Sequence, residues 1–259
     1  MKLRLVPARS GISWAKLGMR TFFRQPLALS GLFFMFLAVM SVVGTIPVIG
    51  LSLALALLPA CTLALMAASK EADSGKFPMP TVFLSAFRAG RQQMHAMLVL
   101  GLLYGLGFWV IMGATSLFDS GNFATRYLTG QMPTLEMAQD PATQNAMLAF
   151  LLLQLPLSLM FWHAPALVHW HQVPPVKSVF FSLVACLRNF WAFAVFGLVW
   201  MSILMFAILA VSLFAGIIGS PGMAGLVLMP VAMLVAAMFF TSTYFSFRDC
   251  FETSAEETP

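Results

Sequence analysis

The chain has 259 residues, of which 60% are hydrophobic and only 9% are charged. Soluble proteins are roughly 45–50% apolar and about 25% charged. This composition excludes a soluble enzyme, a soluble nucleic-acid-binding domain and a disordered protein, and it is typical of a chain embedded in lipid. The net charge of +5 therefore has to be interpreted through the position of each charged residue.

The charged residues divide the chain into long uncharged stretches. No Asp, Glu, Lys or Arg occurs within residues 25–69, 92–118, 141–176 and 189–247. A helix needs about 20 apolar residues to cross a bilayer, so the first and last stretches are long enough for two spans each, joined by Gly- and Pro-containing turns. We predict an all-α membrane protein with six transmembrane helices over residues 26–44, 48–68, 94–116, 143–167, 190–216 and 225–246, followed by a tail over 247–259.

The distribution of positive charge predicts the orientation. Thirteen of the 14 Lys and Arg residues fall on one side of this topology, and Arg126 alone falls on the other. By the positive-inside rule, both termini are expected in the cytoplasm and the chain is expected in a bacterial inner membrane. The basic composition is explained by this topology, so membrane lipids, and no nucleic acid, are the predicted partners.

An internal repeat predicts three similar hairpins. Residues 78–85 resemble residues 175–182 at a constant offset of 97, and each copy comes shortly before a predicted span. We therefore predict amphipathic elbow segments on the cytoplasmic face, before the first, third and fifth spans, over residues 8–24, 80–92 and 177–188.

The first elbow carries a basic stripe. Lys16, Arg20 and Arg24 are four residues apart and share one face of a helix, which is typical of a helix that lies in the headgroup plane of anionic lipid. The alternative is an elbow that only sets the tilt of the following span. Lipid headgroup contacts are also predicted for the basic residues of the other two elbows, Arg88, Arg91, Lys177 and Arg188.

Each even-numbered span contains a proline, at Pro59, Pro165 and Pro230. Proline inside a helix removes one hydrogen bond and usually kinks it. One kink in each hairpin predicts either a central cavity or a packed bundle. The Gly101–Gly105 motif is expected to mark a close helix contact inside the bundle.

Several stretches resemble a known group of sequences. Val6–Arg9, Arg24–Leu29, Gly75–Pro80, Phe161–Trp170 and Val179–Val184 resemble a family of uncharacterised six-pass inner-membrane proteins of Gram-negative bacteria. The resemblance runs over essentially the whole chain. It implies a location and a topology, and it implies no activity.

The predicted spans contain no charged residue. Ion-coupled transporters keep charged groups within the membrane, so a carboxylate-based coupling mechanism is not expected. The H-E-x-x-H, G-x-S-x-G and P-loop patterns are missing as well. We therefore predict no enzyme, no catalytic residue and no cofactor.

Histidines are the remaining candidates for chemistry. His95, His163, His169 and His171 are weak candidates for a metal or haem site, although an interfacial belt explains the last two equally well. His163 lies deeper in the fourth span, as does Gln154. These two side chains are predicted either to line a cavity or to form hydrogen bonds between helices.

Three functions remain open from the sequence. The first is a non-enzymatic scaffold or lipid-interacting assembly protein, with a membrane protein as a potential partner. The second is a carrier or channel for a small amphiphile, lined by Gln154 and His163. The third is a haem- or metal-binding membrane protein.

Overall fold

The computed structural model describes residues 2–85, 90–131, 134, 139–217 and 221–252, without the side chains of residues 221–224 and 252. Nearly all of the described residues are helical. Two-residue strands, β1 (Lys2–Leu3) and β2 (Phe251–Glu252), form one short antiparallel pairing. The predicted all-α class is therefore confirmed.

Ten α-helices follow one another along the described residues: α1 (Ser10–Arg24), α2 (Pro26–Gly44), α3 (Gly50–Asp73), α4 (Arg91–Asp119), α5 (Asn122–Thr129), α6 (Pro141–Trp162), α7 (Ala164–His171), α8 (Pro175–Arg188), α9 (Phe190–Ile217) and α10 (Pro221–Cys250). Six segments of this part of the chain are long and apolar enough to cross a membrane, namely α2, α3, α4, α6 together with α7, α9 and α10. The predicted number of transmembrane helices is confirmed.

Capping chemistry explains where the fourth span begins. The Asp140 carboxylate accepts hydrogen bonds from the Thr143 backbone N–H at 3.1 Å and from the Thr143 hydroxyl at 3.0 Å. Pro141 follows at the first helical position, where no N–H is needed. The hydrogen bonds from Thr143 hold the pKa of Asp140 below its usual value, so this carboxylate stays ionised. Its negative charge interacts favourably with the positive end of the helix dipole.

The central helix of the bundle is α3, which packs against α2, α4 and α10. Gly101 in α4 permits a close approach to α3, since a Cβ atom there would collide with the carbonyl oxygen of Ala56. The Gly101–Gly105 motif therefore contributes a helix contact inside the bundle, as predicted. The span with the smallest buried share is α9, which packs against α10 and α1.

The apolar face of α1 is covered by protein. This helix packs against α9 and α10, and Trp14 is completely buried there. Gly11 and Gly18 allow the backbones to approach, because a Cβ atom at either position would lie 2.3 Å from an atom of α9 or α10. The Trp14 indole N–H donates to the Asp249 carboxylate at 2.9 Å. The in-plane orientation of this helix stays a prediction.

The two ends of the described chain lie together. The Arg4 N–H donates to the Cys250 carbonyl at 2.9 Å, next to the β1–β2 pairing. Asn189 holds the same segment from α8, since its amide accepts from the Val6 N–H and donates to the Arg4 carbonyl. Residues 4 and 250 therefore lie on the same side of the bundle.

The two copies of the internal repeat adopt different structures. Residues 175–188 form the 14-residue helix α8, whereas Pro80–Leu84 form a single 3-10 helix. Residues 86–89, including Arg88, lie outside the described residues. Three equivalent hairpins with three equivalent elbows therefore stay a prediction.

Candidate functional site

The fourth span is interrupted at His163, between α6 and α7. In an unbroken helix the His163 N–H would donate to the Leu159 carbonyl. Here the Ser182 hydroxyl, from α8, lies between them: it accepts from the His163 N–H at 2.9 Å and donates to the Leu159 carbonyl at 2.8 Å. Both backbone groups remain bonded although the helix is broken, which is necessary inside a membrane.

The His163 imidazole lies in a nest of aromatic rings and is completely buried. Its ring centroid lies 5.7 Å from those of Phe193 and Phe247 and 5.4 Å from that of Phe251. Neither ring nitrogen has a hydrogen-bond partner among the described residues. The hydrogen bond between helices at this residue is made by the backbone N–H, to Ser182 on α8, and the imidazole takes no part in it.

A partly open cleft of about 190 Å³ lies between α3, α4, α6 and α10. Its walls are mainly apolar, with Phe161, Phe239 and Phe240 among them. Leu58 and Met66 add to the apolar part, and the remaining lining residues carry proline, hydroxyl or indole groups: Pro59, Thr62, Tyr104, Ser158, Trp162 and Thr243.

The two predicted lining residues stand differently toward this cleft. Gln154 does not line the cleft. Its side chain interacts with that of Tyr104, which does line it. Its Oε1 atom is buried and has no partner among the described residues. His163 is separate from the cleft, because it occupies the junction of α6 and α7 and packs on α9, α10 and β2. The expectation that both line one cavity is therefore not met by this cleft.

The four histidines do not converge. No group of three or more His, Cys, Asp or Glu side chains could hold a metal ion within the described residues. His95 is exposed near the start of α4, while His171 packs on Phe247 and His169 on Trp170. The histidine site stays a prediction without a geometric cluster to support it.

The Cys186 thiol lies beside the helix break and is buried. Burial raises the pKa of the Cys186 thiol, and the neighbouring Cys250 raises it further. A thiol that stays protonated is a poor nucleophile and a poor metal ligand. Its sulfur lies 3.7 Å from the Leu159 carbonyl and supports the break beside Ser182.

The prolines differ in their effect. Helices α3 and α10 continue through Pro59 and Pro230, whereas Pro165 lies in the first turn of α7, directly after the interruption. Pro59 also lines the cleft.

The predicted headgroup residues that the structure describes are all exposed: Lys16, Arg20 and Arg24 on α1, Arg91 on α4, and Lys177 and Arg188 on α8. Exposure is compatible with lipid contact and does not test it.

Sequence reasoning missed two residues. Tyr104 lines the cleft and interacts with Gln154, and Ser182 connects the helix break to α8. Ser182 had a detectable signal in the sequence, because it is the last residue of the second copy of the repeat and corresponds to Ser85 in the first copy. Tyr104 lies inside the Gly101–Gly105 motif, where we considered only the glycines.

Comparison with known proteins supports the location. No family model and no solved structure matches the chain. A protein of Burkholderia thailandensis described as a probable inner membrane protein is 34% identical over 262 residues, which cover 100% of this chain and 97% of that protein. With six apolar helices, the chain is an integral, multi-pass inner-membrane protein, and it belongs to the same family as the Burkholderia protein.

Proposed function

We propose that this inner-membrane protein is a non-enzymatic, lipid-interacting protein that holds one apolar chain of an amphiphile in the cleft between α3, α4, α6 and α10. The observation that carries the proposal is the partly open cleft of about 190 Å³. An engineered cavity of about 150 Å³ with apolar walls is large enough to bind benzene. The cleft therefore has room for a short segment of hydrocarbon.

The polar groups around the cleft support an apolar occupant. The Thr62 hydroxyl donates to the Pro59 carbonyl at 3.0 Å, and the Thr243 hydroxyl donates to the Phe240 carbonyl at 2.7 Å. The Trp162 indole N–H donates to the Ser246 hydroxyl at 3.1 Å. Because these groups are already bonded within the protein, the surface that they leave to an occupant is mostly apolar.

The lining also supports a role in binding over a role in catalysis. None of the described residues that line the cleft is Asp, Glu, Lys, Arg, His or Cys. The hydroxyls of the lining would need a neighbouring general base to act as nucleophiles, and none of the described lining residues supplies one. A scaffold for another membrane protein and a haem or metal protein stay predictions from the sequence, since no described cavity or cluster favours either.

The orientation belongs to the same proposal. Residues 4 and 250 lie on one side of the bundle, and the count of Lys and Arg residues assigns that side to the cytoplasm. Labelling of single cysteines tests this: Lys177→Cys should react only from the cytoplasmic side and Arg126→Cys only from the opposite side. The reverse pattern would contradict the orientation.

Filling the cleft tests the proposed occupant. Ser158→Phe places a ring in the cleft, while Ser202→Phe places the same ring on the exposed face of α9. Each protein is extracted with its native lipids, delipidated stepwise in detergent and weighed by native mass spectrometry. The wild type and Ser202→Phe should retain one lipid molecule, and Ser158→Phe should retain about tenfold less, since about 1.4 kcal/mol of lost binding is a factor of ten.

Two outcomes would contradict the proposal. The first is a wild-type protein that keeps no lipid after delipidation under conditions in which it remains folded. The second is equal retention by Ser158→Phe and Ser202→Phe.

A further inference from the structure

A second pocket, of about 470 Å³, lies beyond the cleft at the end of α3. The last turns of α3, the 3-10 helix Pro80–Leu84 and the end of α7 enclose it. We call it the basic pocket, and the side chains that give it its chemistry are Lys70, Glu71, Lys76, Ser85, His169 and Trp170.

Two buried polar atoms of this pocket lack partners. Ser85 Oγ and His169 Nδ1 are buried, and neither forms a hydrogen bond within the described part of the chain. A buried polar atom without a partner is unfavourable. Both groups can donate a hydrogen bond, so a ligand with several acceptor oxygens would satisfy both of them.

The charge of the pocket favours an anion. Lys70 and Lys76 line it against one acid, Glu71. The other acid at the end of α3, Asp73, is occupied elsewhere, because its carboxylate lies 3.5 Å from the guanidinium of Arg248 on α10. The two lysines therefore exceed the acidic charge in the pocket.

Both lysines are held near the pocket by neighbouring groups. The Lys70 ammonium lies 5.0 Å from the centroid of the Trp170 ring, a cation–π contact that restrains it. The backbone at Lys76 is held from the junction of α1 and α2, because the Gln25 side chain donates to its carbonyl at 3.1 Å. Less conformational entropy is then lost when the Lys70 side chain and the Lys76 backbone are ordered around a ligand.

The cleft and the basic pocket lie along the same face of α3. Pro59, Thr62 and Met66 line the cleft, and Lys70 and Ser74 line the pocket. Positions three or four apart lie above one another on a helix, so Met66 and Lys70 are neighbours about 6 Å apart along the axis. The apolar lining and the basic lining thus follow one another along one face of α3, in the order that the chain and headgroup of an amphiphile require.

We propose that the basic pocket binds the phosphate of an anionic phospholipid headgroup, with Lys70 and Lys76 supplying charge and Ser85 and His169 donating hydrogen bonds. This assignment rests on the proposed function for the position of the acyl chain, which extends along α3 toward Thr62 and Pro59. It goes beyond the basic stripe of α1, because the site is a pocket and uses none of the stripe residues.

The test compares two ligands with identical acyl chains, phosphatidylglycerol and diacylglycerol, on the full-length protein in detergent. Native mass spectrometry counts the bound molecules. Wild type should prefer phosphatidylglycerol, and the Lys70→Gln/Lys76→Gln variant should bind it about 30-fold more weakly, if each lysine contributes what a basic residue near an anionic surface does. The control Lys2→Gln/Arg9→Gln removes the same charge from two exposed positions outside the basic pocket and should keep the wild-type affinity.

A third ligand, inorganic phosphate, distinguishes the source of the anion and is followed by phosphorus NMR. If it binds as tightly as phosphatidylglycerol, the lipid assignment is overturned in favour of free phosphate. If diacylglycerol binds as well as phosphatidylglycerol and the lysine variant has no effect, the headgroup site is overturned while the cleft proposal stands. If Ser158→Phe weakens the binding of no ligand, the cleft proposal fails while the headgroup site stands.

Discussion

The second and fourth spans each contain a buried proline, yet only the fourth span is interrupted. Helix α3 runs from Gly50 to Asp73 through Pro59, whereas α6 stops at Trp162 and α7 restarts at Ala164, just before Pro165. A proline removes one backbone N–H in either place. The proline alone therefore does not explain why one helix continues and the other breaks.

The difference lies in the neighbouring helices. At Pro59 the polar support is local, from the Thr62 hydroxyl to the Pro59 carbonyl within α3. At the fourth span, the Ser182 hydroxyl comes from another helix and bonds both groups that the break separates, the His163 N–H and the Leu159 carbonyl. A break inside a membrane persists when a neighbour satisfies both sides of it.

The largest expected effect follows from removing that hydroxyl. Ser182→Ala leaves the buried His163 N–H and Leu159 carbonyl without their shared partner. The free energy of unfolding should fall by about 2 kcal/mol, measured by equilibrium unfolding in mixed micelles. The control Ser202→Ala, whose hydroxyl bonds only the Leu198 carbonyl of its own helix, should change it by less than about 0.5 kcal/mol. Equal effects of the two substitutions would show that Ser182 does not hold the break.

A smaller effect, of opposite sign, is expected at the imidazole beside the break. His163→Leu replaces a buried ring whose two nitrogens lack partners in the described structure with an apolar side chain. The free energy of unfolding should then rise by about 1 kcal/mol, whereas His171→Leu, at a half-exposed position, should change it little. A clear loss of stability in His163→Leu would mean that the imidazole has a partner, which would revive the haem or metal hypothesis.

The smallest effect is expected at the proline that the helix tolerates. Pro59→Ala restores a backbone N–H, worth about 1 kcal/mol when it bonds, and removes two buried methylene groups, worth about 0.8 kcal/mol each. These contributions oppose each other, so the stability of α3 should change by less than about 1 kcal/mol. A loss above about 2 kcal/mol would mean that Pro59 shapes the helix as strongly as Ser182 shapes the fourth span.

Much of the architecture was predictable because lipid makes a strong demand on sequence. The absence of charge between Arg24 and Lys70 and between Arg188 and Arg248 is sufficient to predict a pair of spans in each stretch. The candidate site was less predictable. Gln154 and His163 are both polar residues of one span, and the sequence does not distinguish their surroundings. Only the packing decides that Gln154 interacts with Tyr104. It also decides that the His163 imidazole lies among the rings of Phe193, Phe247 and Phe251.

The sequence by itself determined the class, the number of spans and, through its lysines and arginines, the expected orientation, because each depends on local composition over about 20 residues. The tertiary structure alone decided which proline accompanies a broken helix, which hydroxyl bonds the break, and which lysines share a pocket with Ser85 and His169. These features join residues far apart in the chain, such as Leu159 with Ser182 and Lys70 with His169. Their contacts depend on how helices pack, and the local composition of the chain does not encode that packing directly.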